Sequence, residues 1–266
     1  MELGLAGRSC VVTGASRGIG RDVAERFCAE GASVLLVARG AEDLQVATAA
    51  AATGRGRAEA LAIDVTADDA AQRVTAAAEE SFGQVDVLVN NAGTARWRRL
   101  EDVPDEDWRE AWELNVMAPM RLMRAVVPGM RERGFGRIVN VSSTSGKRPS
   151  AMMPEYSVAK AALLSLSRLY ADANARNGVL VNAVCPGPTK SEMWMEAGGL
   201  LDQSRDAAGE DSREKALEAA GGKRPIGRLA EPEEIGAVIT FLCSERASYV
   251  AGAAWSVDGG TVQVII

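Results

Sequence analysis

Short apolar runs rich in Val, Ile and Leu alternate along the chain with longer stretches in which apolar residues recur at helical spacing. The runs predict strands near 9–13, 33–38, 58–63, 85–89, 136–141, 179–184 and 253–257. Helical periodicity covers 18–30, 41–52, 68–82, 105–131, 155–175 and 231–243, and Pro232 suits a first helical turn. A run as continuously apolar as Val85 to Val89 belongs to a sheet covered on both faces, and strands alternating with crossover helices predict a parallel, doubly wound α/β domain. We expect one domain over 1–266 with a seven-stranded sheet. One stretch breaks the rhythm: around 190–224, Gly198-Gly199, Gly209 and Gly221-Gly222 punctuate a charged, partly helical segment beyond the carboxyl end of a strand. That position predicts a substrate lid, with an unstructured surface insertion as the alternative.

Composition narrows the chemistry. The 266 residues are 47% hydrophobic and carry a net charge of -6, so a phosphate-binding nucleic-acid surface is not expected. Cys10, Cys28, Cys185 and Cys243 lie far apart, which suggests free thiols in a reducing cytoplasm and no zinc cluster. The chain contains no histidine, which removes Ser-His-Asp hydrolysis and histidine-ligated zinc; no metal is expected. The first residues lack the basic start and apolar run of a signal peptide, and no apolar stretch reaches the roughly 18 residues of a membrane span. A cytoplasmic protein without membrane attachment is the expectation.

Without histidine, proton transfer must come from elsewhere, and Tyr156-Ser157-Val158-Ala159-Lys160 offers it. On a helix the phenol and the ammonium share a face. Bringing a phenol from its usual pKa of about 10 to near neutrality needs roughly 4 kcal/mol of preference for phenolate. One ammonium at about 4 Å supplies that much at an effective dielectric near 20, with burial opposing it.

A second motif, Thr13-Gly14-Ala15-Ser16-Arg17-Gly18-Ile19-Gly20, follows the first predicted strand and opens the first helix. Glycines there permit positive φ and close approach of backbone to a pyrophosphate, and the helix N-terminus supplies amide donors. In this strand-loop-helix context the motif reads as a Rossmann-type dinucleotide site, with a structural tight turn as the alternative. Where an NAD site places a carboxylate at the end of the second strand, the chain has Ala38-Arg39. Arg17 and Arg39 together suit a 2′-phosphate, so NADP(H) is favoured over NAD(H); the other reading of Arg39 is a solvated turn.

Taken together these residues resemble the short-chain dehydrogenase/reductase family over almost the whole chain. The resemblance rests on the loop Thr13 to Gly20, Asp64-Val65, Asn90-Asn91-Ala92-Gly93, Asn115, Ser143, Tyr156 with Lys160, Pro186-Gly187 and Asp258-Gly259-Gly260. It implies a catalytic tetrad. Ser143 would bond the substrate carbonyl, with Ser142 less suited. Tyr156 would exchange the proton, Lys160 would bond the nicotinamide ribose and stabilise the phenolate, and Asn115 would hold a water leading to Lys160. It further implies cofactor contacts from Gly14, Ser16, Arg17, Gly18, Ile19 and Gly20, from Arg39, from Asp64 and Val65 at the adenine, and from Asn91, Ala92 and Gly93. Pro186 and Gly187 would complete the set, with Thr189 and Ser191 standing where the family often has an aliphatic residue and then Thr. Asn90 reads as structural.

The implied activity is interconversion of a ketone and a secondary alcohol. Met152, Met153, Met193, Trp194 and Met195 would frame an apolar pocket suited to a hydrophobic small molecule. Arg96, Arg98 and Arg99 surround Trp97 and read either as a solvated loop or as an anion contact. Members that reduce a 3-oxoacyl thioester on an acyl carrier protein are the second reading, with Arg131, Arg133 or Arg176 meeting the carrier; a lyase or a nucleotide-binding sensor is the third. The family also implies a homotetramer built through 105–131 and 155–175, to which the apolar end Val262 to Ile266 would add a contact.

Overall fold

A computed structural model describes residues 2–263. The first half builds β1 (Ser9–Thr13), α1 (Gly18–Ala29), β2 (Ser33–Ala38), α2 (Ala41–Ala51), β3 (Arg57–Ala62), α3 (Ala70–Phe82) and β4 (Val87–Asn90). Next come α4 (Asp105–Trp112), α5 (Ala118–Arg133), β5 (Gly136–Val141), α6 (Thr144–Lys147), α7 (Pro154–Asn174) and β6 (Val179–Pro186). The chain then forms α8 (Glu192–Met195), α9 (Leu200–Ala208), α10 (Arg213–Gly222), α11 (Pro232–Cys243) and β7 (Ala254–Val257).

The seven strands are all parallel, in the order β3-β2-β1-β4-β5-β6-β7. Because consecutive strand residues face opposite ways, Val12, Leu36, Val89 and Val184 pack under Val23 and Phe27 of α1 and Ile235, Ile239 and Leu242 of α11. Their neighbours Val11, Leu35, Leu88 and Ile138 pack on the other face against Val74 of α3 and Leu122, Met123 and Val126 of α5. Strand order reverses between β1 and β4, and the ligand crevice of such sheets lies at the carboxyl ends there.

The predicted helix 105–131 divides in two. A π-type turn at Glu113–Met117 separates α4 from α5, and α5 runs on to Arg133 despite the internal Pro128. The predicted first turn of α11 is present: Pro232 opens the helix behind a capping box in which Glu231 and Glu234 each accept from the other's backbone amide. The 190–224 segment is ordered into three helices. Leu200, Leu201, Ala216 and Ala220 are buried beneath it, and Asp202 pairs with both Arg205 and Arg213 to tie α9 to α10. Of the apolar end, Val264 to Ile266 lie outside the described residues. Val262 lines a cavity of its own subunit, with its amide donating to Asp258 at 2.9 Å.

Candidate active site

The glycine loop is fastened before it reaches any ligand. The Thr13 hydroxyl accepts from the backbone amides of Asn91 and Ala92, and Asn91 Nδ2 donates to the carbonyls of Thr13 and Gly14. Gly14 (φ 65°) and Gly18 (φ 55°) occupy the left-handed region. Gly20 serves packing: a Cβ there would stand 2.3 Å from the carbonyl oxygen of Gly14. The loop thus lies flat against β4, leaving a cleft of about 620 Å³ lined by Gly14, Ser16, Arg17, Gly18, Ile19, Arg39, Asp64, Val65, Asn91, Ala92, Gly93 and Ser191. Gly20 sits beneath the lining. Asn90 does not line the cleft; its amide donates to Asn140 at 2.7 Å within the sheet.

Sequence reasoning missed three carboxylates here. Asp43 lines the cleft beside Arg39, and Arg39 stands 3.8 Å from Asp64. Glu196 of the 190–224 segment pairs with Arg17, and Glu192 Oε2, buried without a partner, lies against Gly18. Their distance in sequence from the loop left no local signal.

Next to this cleft opens a second cavity of about 750 Å³, lined by Ser143, Tyr156, Lys160, Pro186, Gly187, Thr189 and Ser191. Ser143 leaves the end of β5 and caps α6, its hydroxyl accepting from the amide of Ser145 at 3.0 Å. Ser142 is occupied elsewhere, donating to the carbonyl of Lys160 at 2.9 Å. Tyr156 and Lys160 lie on the first turns of α7; Nζ donates to the Val141 carbonyl at 2.7 Å and stands 5.5 Å from the centre of the phenol ring. Asn115 belongs to the π-type turn. Its Nδ2 donates to Ala111 at 2.9 Å, while its buried Oδ1 has no protein partner. A Cβ on Gly93 would lie 3.2 Å from that oxygen and 3.5 Å from Lys160 Nζ, so this glycine keeps open a space shared by both.

Burial dominates the electrostatics. It pushes Tyr156 up to about 12, against the pull of the neighbouring Ser143 hydroxyl. It pushes Lys160 down to about 7. Of the two influences weighed in the sequence, burial outweighs the ammonium: in the protein alone Tyr156 stays neutral and Lys160 is about half protonated near neutral pH.

The surrounding residues sort themselves. Met152, Met153, Met193 and Trp194 line the cavity; Met195 does not. Arg96 and Arg98 both pair with the buried Asp107, and Arg96 also with Glu110, so only Arg99 of the three reaches the cavity. Trp97 is tied to α9, its amide donating to Gln203 at 2.8 Å.

The family model described as enoyl-(acyl carrier protein) reductase matches residues 14–262. The chain is a short-chain dehydrogenase/reductase. It is 37% identical to the short-chain reductase protein NovJ of Streptomyces niveus, over 94% of this chain and 92% of that one. It is 34% identical to the 3-oxoacyl-[acyl-carrier-protein] reductase of Vibrio cholerae, over 98% and 100%. The crystal structure of L-sorbose reductase from Gluconobacter frateurii, complexed with NADPH and L-sorbose, matches at a TM-score of 0.91 and 36% identity over the full length of both chains. As a member of this oxidoreductase family, the enzyme sets side by side a cleft lined by the glycine loop and a cavity holding the Tyr-Lys pair. Among the described residues no helix is long and apolar enough to cross a membrane.

Proposed function

We propose that this short-chain dehydrogenase/reductase interconverts a ketone and a secondary alcohol with NADP(H), and that Tyr156 exchanges the proton. The observation that carries the reading is the convergence of Ser143, Tyr156 and Lys160 on one cavity adjoining the glycine-loop cleft, with the buried Asn115 Oδ1 behind them at Gly93. When bound, the dinucleotide would supply or accept the hydride. Ser143 would orient the carbonyl by donating to its oxygen. Tyr156, protonated across the neutral range, would donate to that oxygen as negative charge develops on it. Lys160, near half-protonation at neutral pH, would stabilise the phenolate left behind. Asn115 Oδ1 and Lys160 Nζ face the space over Gly93, where a water bridging them would return the proton from solvent.

Gly14, Ser16, Arg17, Gly18, Ile19, Asp64, Val65, Asn91 to Gly93, Pro186, Gly187, Thr189 and Ser191 would hold the cofactor, with Gly20 packing the loop from beneath. Arg39 and Arg17 at the mouth of the cleft favour NADP(H) over NAD(H), and the resemblance to an NADPH complex at 36% identity supports this. The test is NADPH oxidation with a panel of carbonyl compounds, repeated with NADH. Tyr156→Phe should lower kcat by about 10²- to 10⁴-fold while leaving NADPH binding intact. Undiminished turnover in that variant refutes the mechanism.

Reduction of a carrier-bound 3-oxoacyl thioester is the second reading, favoured by the relative from Vibrio cholerae. Two of the arginines considered for carrier docking are engaged within the chain: Arg131 with Asn174, and Arg133 with the Val85 carbonyl. Acetoacetyl thioesters compared with free ketones separate the readings. For assembly we retain a homotetramer through α4, α5 and α7, where Trp112, Val158 and Leu169 stay exposed; a monomer by light scattering would overturn it. The free, buried cysteines fit a reducing cytoplasmic location.

A further inference from the structure

The cavity before Tyr156 has an uneven charge distribution that proton and hydride transfer leave unused. Part of its wall is apolar, with Met152, Met153, Trp194 and Leu200. The same cavity is lined by Arg99, Arg148 and Lys223, all exposed, and by the partly buried Arg224, against a single carboxylate, Glu210. The neighbouring cations are neutralised within the chain: Arg96 and Arg98 by Asp107, Arg213 by Asp202. Arg99, Arg148, Lys223 and Arg224 have no ion-pair partner among the described residues.

Arg224 is the most informative of the four. It is partly buried just beyond α10, with one guanidinium nitrogen donating to the Ala220 carbonyl and a buried Nε that meets no acceptor. A guanidinium partly withdrawn from water without a counter-charge gains from an anion in the cavity, which its accessible N–H groups, not the buried Nε, would meet. Burial holds its pKa below the ordinary value, and a bound anion would restore it. Its backbone is held in place: the Arg224 amide donates to Gly221 at 2.9 Å, and the Ile226 amide donates to Gly259 at 3.2 Å, tying the segment to the turn after β7. The α10 face beside it is built from Ala216, Ala219 and Ala220, which leaves room for a ligand to pass.

We infer that Arg224, with Lys223, Arg148 and Arg99 lining the same cavity, binds an oxyanion at the end of the substrate remote from the reacting carbonyl. The substrate is then an oxo compound with an apolar middle and a terminal carboxylate or phosphate, which refines the expectation of a purely hydrophobic ketone. The position of the carbonyl rests on the redox reading above; the anion site itself does not.

The test compares kcat/KM for an oxo carboxylic acid and its methyl ester, and for a phosphorylated hydroxyketone and its free alcohol. The wild type should prefer one anionic member over its neutral partner by roughly tenfold to hundredfold, as expected for a hydrogen bond to a charged group. Which pair shows the preference distinguishes carboxylate from phosphate. Arg224→Gln should cut that preference by about tenfold, chiefly through KM. Equal use of both members of each pair, an equal loss on both in the variant, or a matching rise in the KM for NADPH overturns the inference. A second arm follows quenching of tryptophan fluorescence by an unreactive arylalkyl carboxylate and by its phosphate analogue, without NADPH. Binding there that Arg224→Gln abolishes, in an enzyme that reduces no carbonyl, keeps the anion site and refutes the redox reading. Turnover of neutral ketones without anion preference does the reverse.

Discussion

Replacing Lys160 by methionine should cost the enzyme its activity and make the protein more stable at acid pH. The side chain is 3% exposed, and burial brings its pKa from the ordinary 10.5 to about 7. At about 1.4 kcal/mol per decade of proton affinity, holding the ammonium in the folded state opposes folding by about 5 kcal/mol below neutrality. Methionine is similar in length and removes that cost. It also removes the bond to the Val141 carbonyl at 2.7 Å, and an unsatisfied buried carbonyl costs about 1–3 kcal/mol. The net gain near pH 6 is therefore about 2–4 kcal/mol.

The sign of the pH dependence distinguishes this account from better packing. Between a folded pKa of about 7 and an unfolded value of 10.5, the unfolded chain holds a proton that the folded protein has released, so wild-type stability rises with pH across that window. Near pH 9 the cost of the lysine has shrunk to about 2 kcal/mol, and the advantage of methionine should vanish. Tyr156, pushed up to about 12, contributes stability that is complete below 10 and lost above it, outside the compared range. Urea unfolding of both cofactor-free proteins at about pH 6 and pH 9 measures the difference, which should fall by about 3 kcal/mol. A difference that does not change with pH, or a less stable variant near pH 6, would show that Lys160 is not held as a costly buried charge.

Arg39→Asp should raise the KM for NADPH by at least about tenfold, since it removes a charge-assisted bond and adds repulsion, while NADH is used no worse; equal loss with both cofactors would point to the cleft's shape instead. Glu196→Gln frees Arg17 from its ion pair, so the KM for NADPH should fall severalfold in stopped-flow or steady-state titration; no change would mean the pair does not compete with the cofactor. Because Lys160 titrates near 7 and Tyr156 far above it, kcat/KM for reduction should decline as pH rises above about 7, and oxidation of the corresponding alcohol should gain. Parallel profiles in both directions would contradict those assignments.

Much of the fold was legible because its signals are local. The central strands β1, β2, β4 and β6 are short, buried, largely apolar runs, and the glycine loop stands between the first strand and the first helix. The split of 105–131 was not legible. Helical periodicity continues through Glu113 to Met117, and nothing in five successive residues announces the extra backbone unit of a π-type turn. That extra unit matters to the site, because it is where Asn115 sits with one amide oxygen free toward Lys160.

The electrostatics were legible in their parts and misleading in their balance. Tyr156 and Lys160 at one helical turn suggest an acidified phenol, yet desolvation depends on what closes over the pair, and that closure is assembled from Val141, Ser143 and Gly93, all distant in sequence. The same reasoning governs the arginines. Their sequence clustering at 96–99 drew attention to that loop, but Asp107 neutralises two of the three. Arg224, unremarkable as a helix-end cation, is left partly buried in a cavity without a counter-charge. Whether a charged side chain is free to meet a ligand is decided by the carboxylates folding brings to it, and sequence proximity carries little of that information.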